Sequence, residues 1–290
     1  MIQTNRKTFS VLMAAKNAEN TIELAVRSTL LALGSRDELL VYLDGCQDGT
    51  ELVLRRVKDS RLKVYESPVT VGRSDARNQL SLRAKGDFLA ILDADDVSLP
   101  WRFWVSRQML KKSDAIFGSA IFFGALPHRL PLALSYPIRL RPELARLVLT
   151  YRNPFIHSSA AFKRNIVTPG DLYRDIVAEE YQLWMRLALQ NSRLYRTPIP
   201  LIAYRFHAKQ ISKGPGFFEN GEACPQLNAT RESLTSQQSK LWQEDLKRQG
   251  YAQALPPLQV LARDKSWGIR IEETMLASIL KALTRLRRQP

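Results

Sequence analysis

Over residues 9–100, short apolar runs alternate with segments whose apolar residues recur at helical spacing. Phe9-Ser-Val-Leu-Met-Ala-Ala15 reads as a strand ending in polar Lys16-Asn17. Ile22, Ala25, Val26, Thr29, Leu30 and Leu33 then fit one helical face, with Asn20 or Thr21 as the cap and Gly34 as the stop. Residues 38–43 predict a second strand. Residues 44–50 predict a turn, with Asp48 and Thr50 as alternative caps for a helix whose face is Leu52, Val53 and Val57. A short third strand covers 62–65, Gly72 opens a loop, and a helix covers 74–83. The run from Phe88 to Leu92 is a buried strand, bounded by Gly86 and Pro100, that closes on Asp93, Asp95 and Asp96.

The second half is less regular. A helix over 102–110 precedes the apolar stretch 115–123, read as one or two strand pieces. Four prolines between 125 and 142 indicate an irregular excursion. A strand is expected at 157–162. A helix over 179–189 carries Tyr181, Leu183, Trp184, Leu187 and Ala188 on its apolar side, and a strand over 201–206 runs into His207. Composition shifts at Lys213-Gly-Pro-Gly216. Beyond it come a polar helix over 225–249, a break at Pro256-Pro257, and a last amphipathic helix over 269–288 ending in Lys281, Arg285, Arg287 and Arg288.

Strands that alternate with helices predict an α/β fold with a mostly parallel central sheet, right-handed crossovers and ligands at the strand C-termini. That is where the acids of residues 93–96 fall, and carboxylates cannot stay charged in a core without a partner. Asp93 and Asp95 are two apart, so on a continuing strand they face the same way. Convergent hard oxygens suit Mg²⁺ or Mn²⁺, which completes its shell with water and substrate phosphates. Met13-Ala-Ala-Lys-Asn17 lacks the glycines of a dinucleotide fold, and no Gly-Lys-Ser/Thr loop is present. NAD and P-loop chemistry are therefore set aside.

The chain of 290 residues has 43 Lys+Arg against 28 Asp+Glu, a formal charge of +15, which favours anionic partners. No basic motif with interleaved aromatics, zinc knuckle or helix-turn-helix signal accompanies that charge, so nucleic acid is not expected. Cys46 and Cys224 have no metal-ligand spacing and suit a reducing, cytoplasmic setting. The N-terminus lacks the apolar core of a signal peptide, and no run reaches membrane-span length. Contact with an anionic membrane would be peripheral and cytosolic. It would run through the last basic helix, unless that helix packs on the rest of the chain.

Six blocks in order resemble inverting glycosyltransferases of family 2, with the GT-A fold. They are Ser10–Asn17, Leu43-Asp-Gly-Cys-Gln-Asp-Gly-Thr50, Val71-Gly-Arg-Ser-Asp-Ala-Arg-Asn78, Leu92-Asp-Ala-Asp-Asp96, Ala178-Glu-Glu-Tyr-Gln-Leu-Trp-Met-Arg186 and Tyr204-Arg-Phe-His207 with Ser212. The resemblance spans about residues 8–212. It implies a catalytic domain over 1–212, with a nucleotide-binding half (1–100) and an acceptor and base half (101–212), followed by a helical basic extension (213–290). It also implies a nucleotide-sugar donor, most simply a UDP-sugar, a carbohydrate or lipid-linked acceptor, and a Mn²⁺ or Mg²⁺ cofactor. In that frame Asp95 resembles the direct metal ligand and Asp93 its ribose or metal-water contact. Asp96 either joins them or caps the next helix. Asp44 resembles a base or ribose contact, Asn17 and Ala14 line the same end, and Arg73 either meets the base or is solvated. Arg77 pairs with a carboxylate of the site. His207 either binds the diphosphate and metal or is a satisfied core histidine.

Inversion needs a base on the acceptor side. The resemblance gives that role to Glu180, where relatives carry Asp, with Glu179 as the fallback. Trp184 and Arg186 are read as packing and a structural ion pair. Leu43 and Ala14 depart from the family pattern, so base specificity stays open. They also leave room for a GT-A-shaped protein that binds nucleotide-sugar or lipid without turnover.

Overall fold

The computed structural model describes residues 7–125, 132–134, 139–207, 220–221 and 223–248. In chain order the elements begin β1 (Phe9–Ala15), α1 (Ile22–Ala32), β2 (Glu38–Asp44), α2 (Thr50–Arg55), β3 (Leu62–Ser67), α3 (Arg73–Arg83), β4 (Phe88–Ile91) and β5 (Val97–Ser98). They continue α4 (Arg102–Met109), β6 (Ala115–Gly124), β7 (Leu132–Leu134), α5 (Pro142–Leu149), β8 (Ala161–Lys163), α6 (Glu179–Leu189), β9 (Leu194–Phe206) and α7 (Pro225–Arg248). The strands described form one sheet ordered β3-β2-β1-β4-β8-β6-β9-β5, with β7 paired to β6. Its first part, β3-β2-β1-β4, is parallel throughout. From β8 onward the sheet is mixed, with only the β6–β9 pairing parallel.

The apolar run of β1 lacks alternation because helices cover both faces. Phe9, Val11, Met13 and Ala15 pack with Ile22, Ala25, Val26 and Leu30 of α1, while Leu12 faces Ala76 and Leu80 of α3. The predicted helical face of α1 is the buried one. In α2 the inward residue is Leu54, whereas Leu52 is exposed. The start of that helix is fixed by Asp48, whose Oδ1 accepts the Thr50 N–H at 3.0 Å, and by the Thr50 hydroxyl, which accepts the Ala18 N–H at 2.8 Å. That start rotates Leu52 outward.

Several elements differ from the sequence expectation for local reasons. β4 ends at Ile91, so Asp93 and Asp95 do not lie on a continuing strand. They lie in a turn closed by the Asp96 N–H to the Asp93 carbonyl at 3.2 Å. Residues 157–159 form a 3-10 turn, and only Ala161–Lys163 is strand. The hydroxyls of Ser158 and Ser159 bond to Asp93 and to the Gly118 and Ile156 carbonyls, which competes with a ladder there. The stretch read as irregular yields α5 at its end, with Pro142 in the first turn where its missing N–H costs nothing. β9 begins at Leu194, ahead of the predicted 201, and a bulge absorbs its irregularity against β6. Helix 225–249 is found as α7. Pro256-Pro257 and the helix over 269–288 lie outside the described residues.

The chain divides into two compact units, Met1–Leu234 and Thr235–Pro290. The first extends past the expected break at 212/213 because Leu227 and Leu234 of α7 are buried in its core. In the second, the described residues are the remaining turns of α7. Among the described residues no helix is long and apolar enough to cross a membrane.

Opposite the strand C-termini, one buried ion pair fastens the sheet. Arg107 donates to both oxygens of Asp37 at 3.0 Å, and Asp37 also accepts the N–H groups of Phe9 (2.9 Å) and Gly34 (2.8 Å). Asp37→Ala would leave a buried guanidinium without its counter-charge, held only by the Lys7 and Phe103 carbonyls, and two amides without their acceptor, so unfolding free energy should fall by about 3–5 kcal/mol in urea titration. A loss under about 1 kcal/mol would show that this end of the sheet does not depend on the pair.

Candidate active site

Three segments converge at the C-terminal end of the parallel strands: the acid turn after β4, the N-terminal half of α3, and the start of α6. Arg73 and Arg77 are one turn apart on α3, so both reach the same neighbour. Arg73 donates Nε and Nη2 to the two oxygens of Glu179, at 2.6 and 2.8 Å. Arg77 donates Nη1 to Glu179 at 3.1 Å and Nη2 to Asp93 Oδ1 at 2.7 Å. Arg77 is buried, and its guanidinium also lies 5.5 Å from the Tyr173 ring centre. Burial would lower its pKa, but the charges of Asp93, Tyr173, Glu179 and Glu180 raise it above the ordinary arginine value.

Asp93 is held on every side. The Ser158 hydroxyl donates to Asp93 Oδ2 at 2.7 Å and accepts the Asp93 N–H at 3.2 Å. His157 Nδ1 stands 3.7 Å from Oδ1, and its Nε2 is 2.9 Å from the Tyr173 hydroxyl. Burial pushes the Asp93 carboxyl up, but Arg77, His157 and Ser158 outweigh it and hold the group well below the usual carboxylate range.

Asp95 differs. Its Oδ2 faces His207 Nε2 at 2.8 Å, and both side chains are about one-third exposed. Burial and the neighbouring Asp93 charge raise its pKa, with His207 opposing. The pair meets because β5 and β9 run antiparallel, Val97 opposite Ala203, which brings the end of β9 beside the acid turn. Arg205 closes the join, its N–H donating to Asp96 Oδ1 and its Nε to the Asp95 carbonyl, both at 2.9 Å. Asp96 is buried and does not cap a helix, since α4 begins at Arg102. Burial, Asp93 and Asp95 together raise its carboxyl well above the usual range.

The two acids that open α6 are unequal. Ala178, just before them, is left-handed at φ 58°, an uncommon conformation for alanine. Glu179 is buried with both oxygens taken by arginine. Glu180 is half-buried, and burial together with the Glu179 charge raises its pKa, with His157 and Arg73 opposing. It shares a locus with the acid turn: the Tyr204 phenol is pushed up by burial and by the charges of Asp96, Asp93, Asp95 and Glu180.

The residues expected to hold a nucleotide are spread along the same sheet end. Asp44 ends β2 and accepts the N–H groups of Val71 (2.6 Å) and Gly72 (3.2 Å), so it shapes the loop before α3. Gly45 follows at φ 60°, and a Cβ there would lie 2.7 Å from the Thr70 nitrogen. Asn17, at φ 49°, accepts the Gln47 N–H at 2.8 Å and is architectural in this structure. Ala14 is half-buried on β1 beside Tyr42. Arg73 is about one-third exposed and pairs with Glu179 through its in-plane N–H groups. Trp184 is fully buried against Phe117 and Phe162, as its packing reading required, and Arg186 stands 3.8 Å from the Asp171 carboxylate, the ion pair expected of it, while also holding the Asp171 and Leu172 carbonyls.

The donor types fit a divalent cation. Asp95 and His207 offer one carboxylate oxygen and one imidazole nitrogen, both acceptable to a borderline ion. Asp93 is the more engaged of the two acids, since Arg77 and Ser158 each bond one of its oxygens, although its side chain is about one-third exposed like that of Asp95. Among the described residues no group of three or more His, Cys, Asp or Glu forms a closed cage. The sequence reading missed His157, Ser158 and Tyr173. No motif marks them, and the turn that carries two of them reads as strand.

The model of glycosyl transferase family 2 matches residues 10–167. The UDP-Glc:alpha-D-GlcNAc-diphosphoundecaprenol beta-1,3-glucosyltransferase WfaP of Escherichia coli is 24% identical, the match covering 70% of this chain and 79% of WfaP. The O-antigen biosynthesis glycosyltransferase WbnJ of Escherichia coli is 26% identical, over 70% of this chain and 82% of its own. Among solved structures, S. aureus TarS in complex with UDP-GlcNAc superposes with a TM-score of 0.64 at 15% identity, covering 83% of this chain and 73% of that one. The mannosyltransferase PcManGT from Pyrobaculum calidifontis, solved with GDP-Man and Mn2+, gives 0.58 at 18% identity, covering 97% and 87%. These two share the GT-A arrangement of the sheet.

Arg77→Met should remove the shared cation from buried Glu179 and part-exposed Asp93, leaving them to Arg73 and to Ser158 and His157. The expected loss of stability is about 3–5 kcal/mol by denaturant titration, with a smaller loss for Arg77→Lys, which keeps the charge but not the fork. Equal losses for both would mean that the geometry of the bridge, and not its charge, is what matters.

Proposed function

Because the chain belongs to glycosyl transferase family 2, we propose that it moves a sugar from a nucleotide-sugar, a UDP-sugar first, to a hydroxyl of a lipid-linked or carbohydrate acceptor, with inversion at the anomeric carbon. The observation that carries the reading is the pairing of Arg77 with both Asp93 and Glu179, which ties the acid turn to the helix bearing Glu180. The names of WfaP, with UDP-Glc as donor and a diphosphoundecaprenol-linked acceptor, and of TarS with UDP-GlcNAc support the donor and acceptor classes. Asp95 and His207 would hold Mn²⁺ or Mg²⁺, which when bound would supply charge neutralisation for the departing diphosphate. Two free cysteines fit work at the cytoplasmic side.

The chain's own residues do the rest. Asp93, fixed by Arg77 and Ser158, orients the ribose or a metal-bound water. Asp44 and the loop it braces hold the base. Glu180 accepts the acceptor's hydroxyl proton as that oxygen bonds to the anomeric carbon, while the bond from that carbon to the diphosphate oxygen breaks with its electron pair. Glu179 is the poorer base, since neither of its oxygens faces a free donor.

Glu180→Gln should keep the thermal shift given by UDP with Mn²⁺ and lose turnover by about 10²–10⁴-fold. Unchanged turnover ends the assignment of the base. Glu180 must be ionised to act, and its carboxyl is raised. Activity should therefore fall as pH drops through a value above the ordinary glutamate range, seen as the acid limb of the kcat/KM profile. Chelation with EDTA should abolish both the UDP shift and transfer, with Mn²⁺ restoring them. A shift and a rate indifferent to EDTA would remove the cation from the scheme.

A further inference from the structure

The exposed side of α4 does not resemble the rest of the surface. Trp104 is 63% exposed and Trp101 43%. They are three apart on one helix and so share a face. The Trp101 Nε1 donates to the Pro200 carbonyl at 2.7 Å, which fixes the ring beside Ile199, itself 41% exposed. Gln108 follows on the helix, and Lys111 and Lys112 lie in the turn that closes it, all exposed. No acid occurs from Val97 to Ser113, and the next one, Asp114, is paired with Lys163 and Arg193. Two of the chain's five tryptophans therefore stand in water beside unneutralised lysines, on a helix whose other side is well packed through Phe103, Val105 and Leu110.

Large indole rings at a surface call for an occupant that accepts apolar bodies and positive charge together. A protein groove would supply the first, but the lysines and the acid-free stretch select an anionic one. We propose that α4, through Trp101, Trp104, Lys111 and Lys112, docks on an anionic phospholipid surface. The rings would lie at headgroup depth and the ammonium groups among lipid phosphates. These residues are distinct in sequence from the basic residues after position 268. The docking rests on the charge and exposure of α4 and not on the choice of acceptor: vesicle binding can fail while sugar transfer to a soluble acceptor persists, and the reverse.

The test uses the full chain with Trp242→Phe and Trp267→Phe, so that only Trp101, Trp104 and the fully buried Trp184 emit. With vesicles of phosphatidylcholine plus phosphatidylglycerol, emission should shift to the blue and be quenched by brominated acyl chains. Adding Trp101→Gln and Trp104→Gln should weaken partitioning by at least about tenfold. Lys111→Gln with Lys112→Gln should weaken it roughly fivefold per charge on anionic vesicles and leave pure phosphatidylcholine unchanged. An unaltered thermal shift with UDP controls for folding in each variant. The proposal fails if the emission is not quenched, or if the tryptophan variant floats as well as the parent. It also fails if sedimentation shows Trp104-dependent self-association in place of vesicle binding.

Discussion

A single guanidinium holds this site together. Arg77 is buried, and in a low-dielectric setting a cation survives only among anions. It has them in Asp93 and Glu179, which come from segments far apart in sequence, and it fixes their separation through one planar fork. The acid turn therefore does not adjust independently of α6. The position of Glu180 is referenced, through one residue in the chain and one guanidinium, to the acid turn.

The same constraint explains why two neighbouring glutamates have different parts. Glu179 provides the counter-charge that Arg73 and Arg77 require, and so is removed from chemistry. Glu180 is left beside that negative charge, partly desolvated and without a guanidinium of its own, which is how a carboxyl is tuned upward toward proton acceptance. A carboxyl raised this way depends on its neighbour's pairing as much as on its own surroundings. Sequence adjacency at a helix start, by itself a favourable dipole placement, here separates an acid taken up by two arginines from one left without a guanidinium.

The sheet was legible where periodicity and burial agree. β1, α1 and α6 lie where their apolar residues place them, because both faces of β1 are covered and one face of each helix is packed. The acids were legible as a group but not in their geometry. Alternation predicts Asp93 and Asp95 on one side of a strand, whereas Ser158 captures the Asp93 amide and turns the chain first. His157, Ser158 and Tyr173 stayed hidden because their contacts are long-range, and a histidine beside serines carries no spacing signal. Arg73 misled for a related reason: a surface-looking arginine one turn before Arg77 becomes half of a clamp only when α6 is placed next to it.

The open side of the acid turn completes the reasoning. Arg205 and the β5–β9 pairing fix Asp95 and Asp96 through backbone contacts, so the Asp95 carboxylate is positioned before any ligand arrives. Asp93 is engaged by Arg77, Ser158 and His157, and Asp95 has one histidine as its side-chain partner. In the proposed reading, one fixed, one-third-exposed carboxylate and one imidazole would hold a hard or borderline cation weakly alone and better when diphosphate oxygens fill the remaining positions, so that metal and nucleotide would depend on each other for affinity.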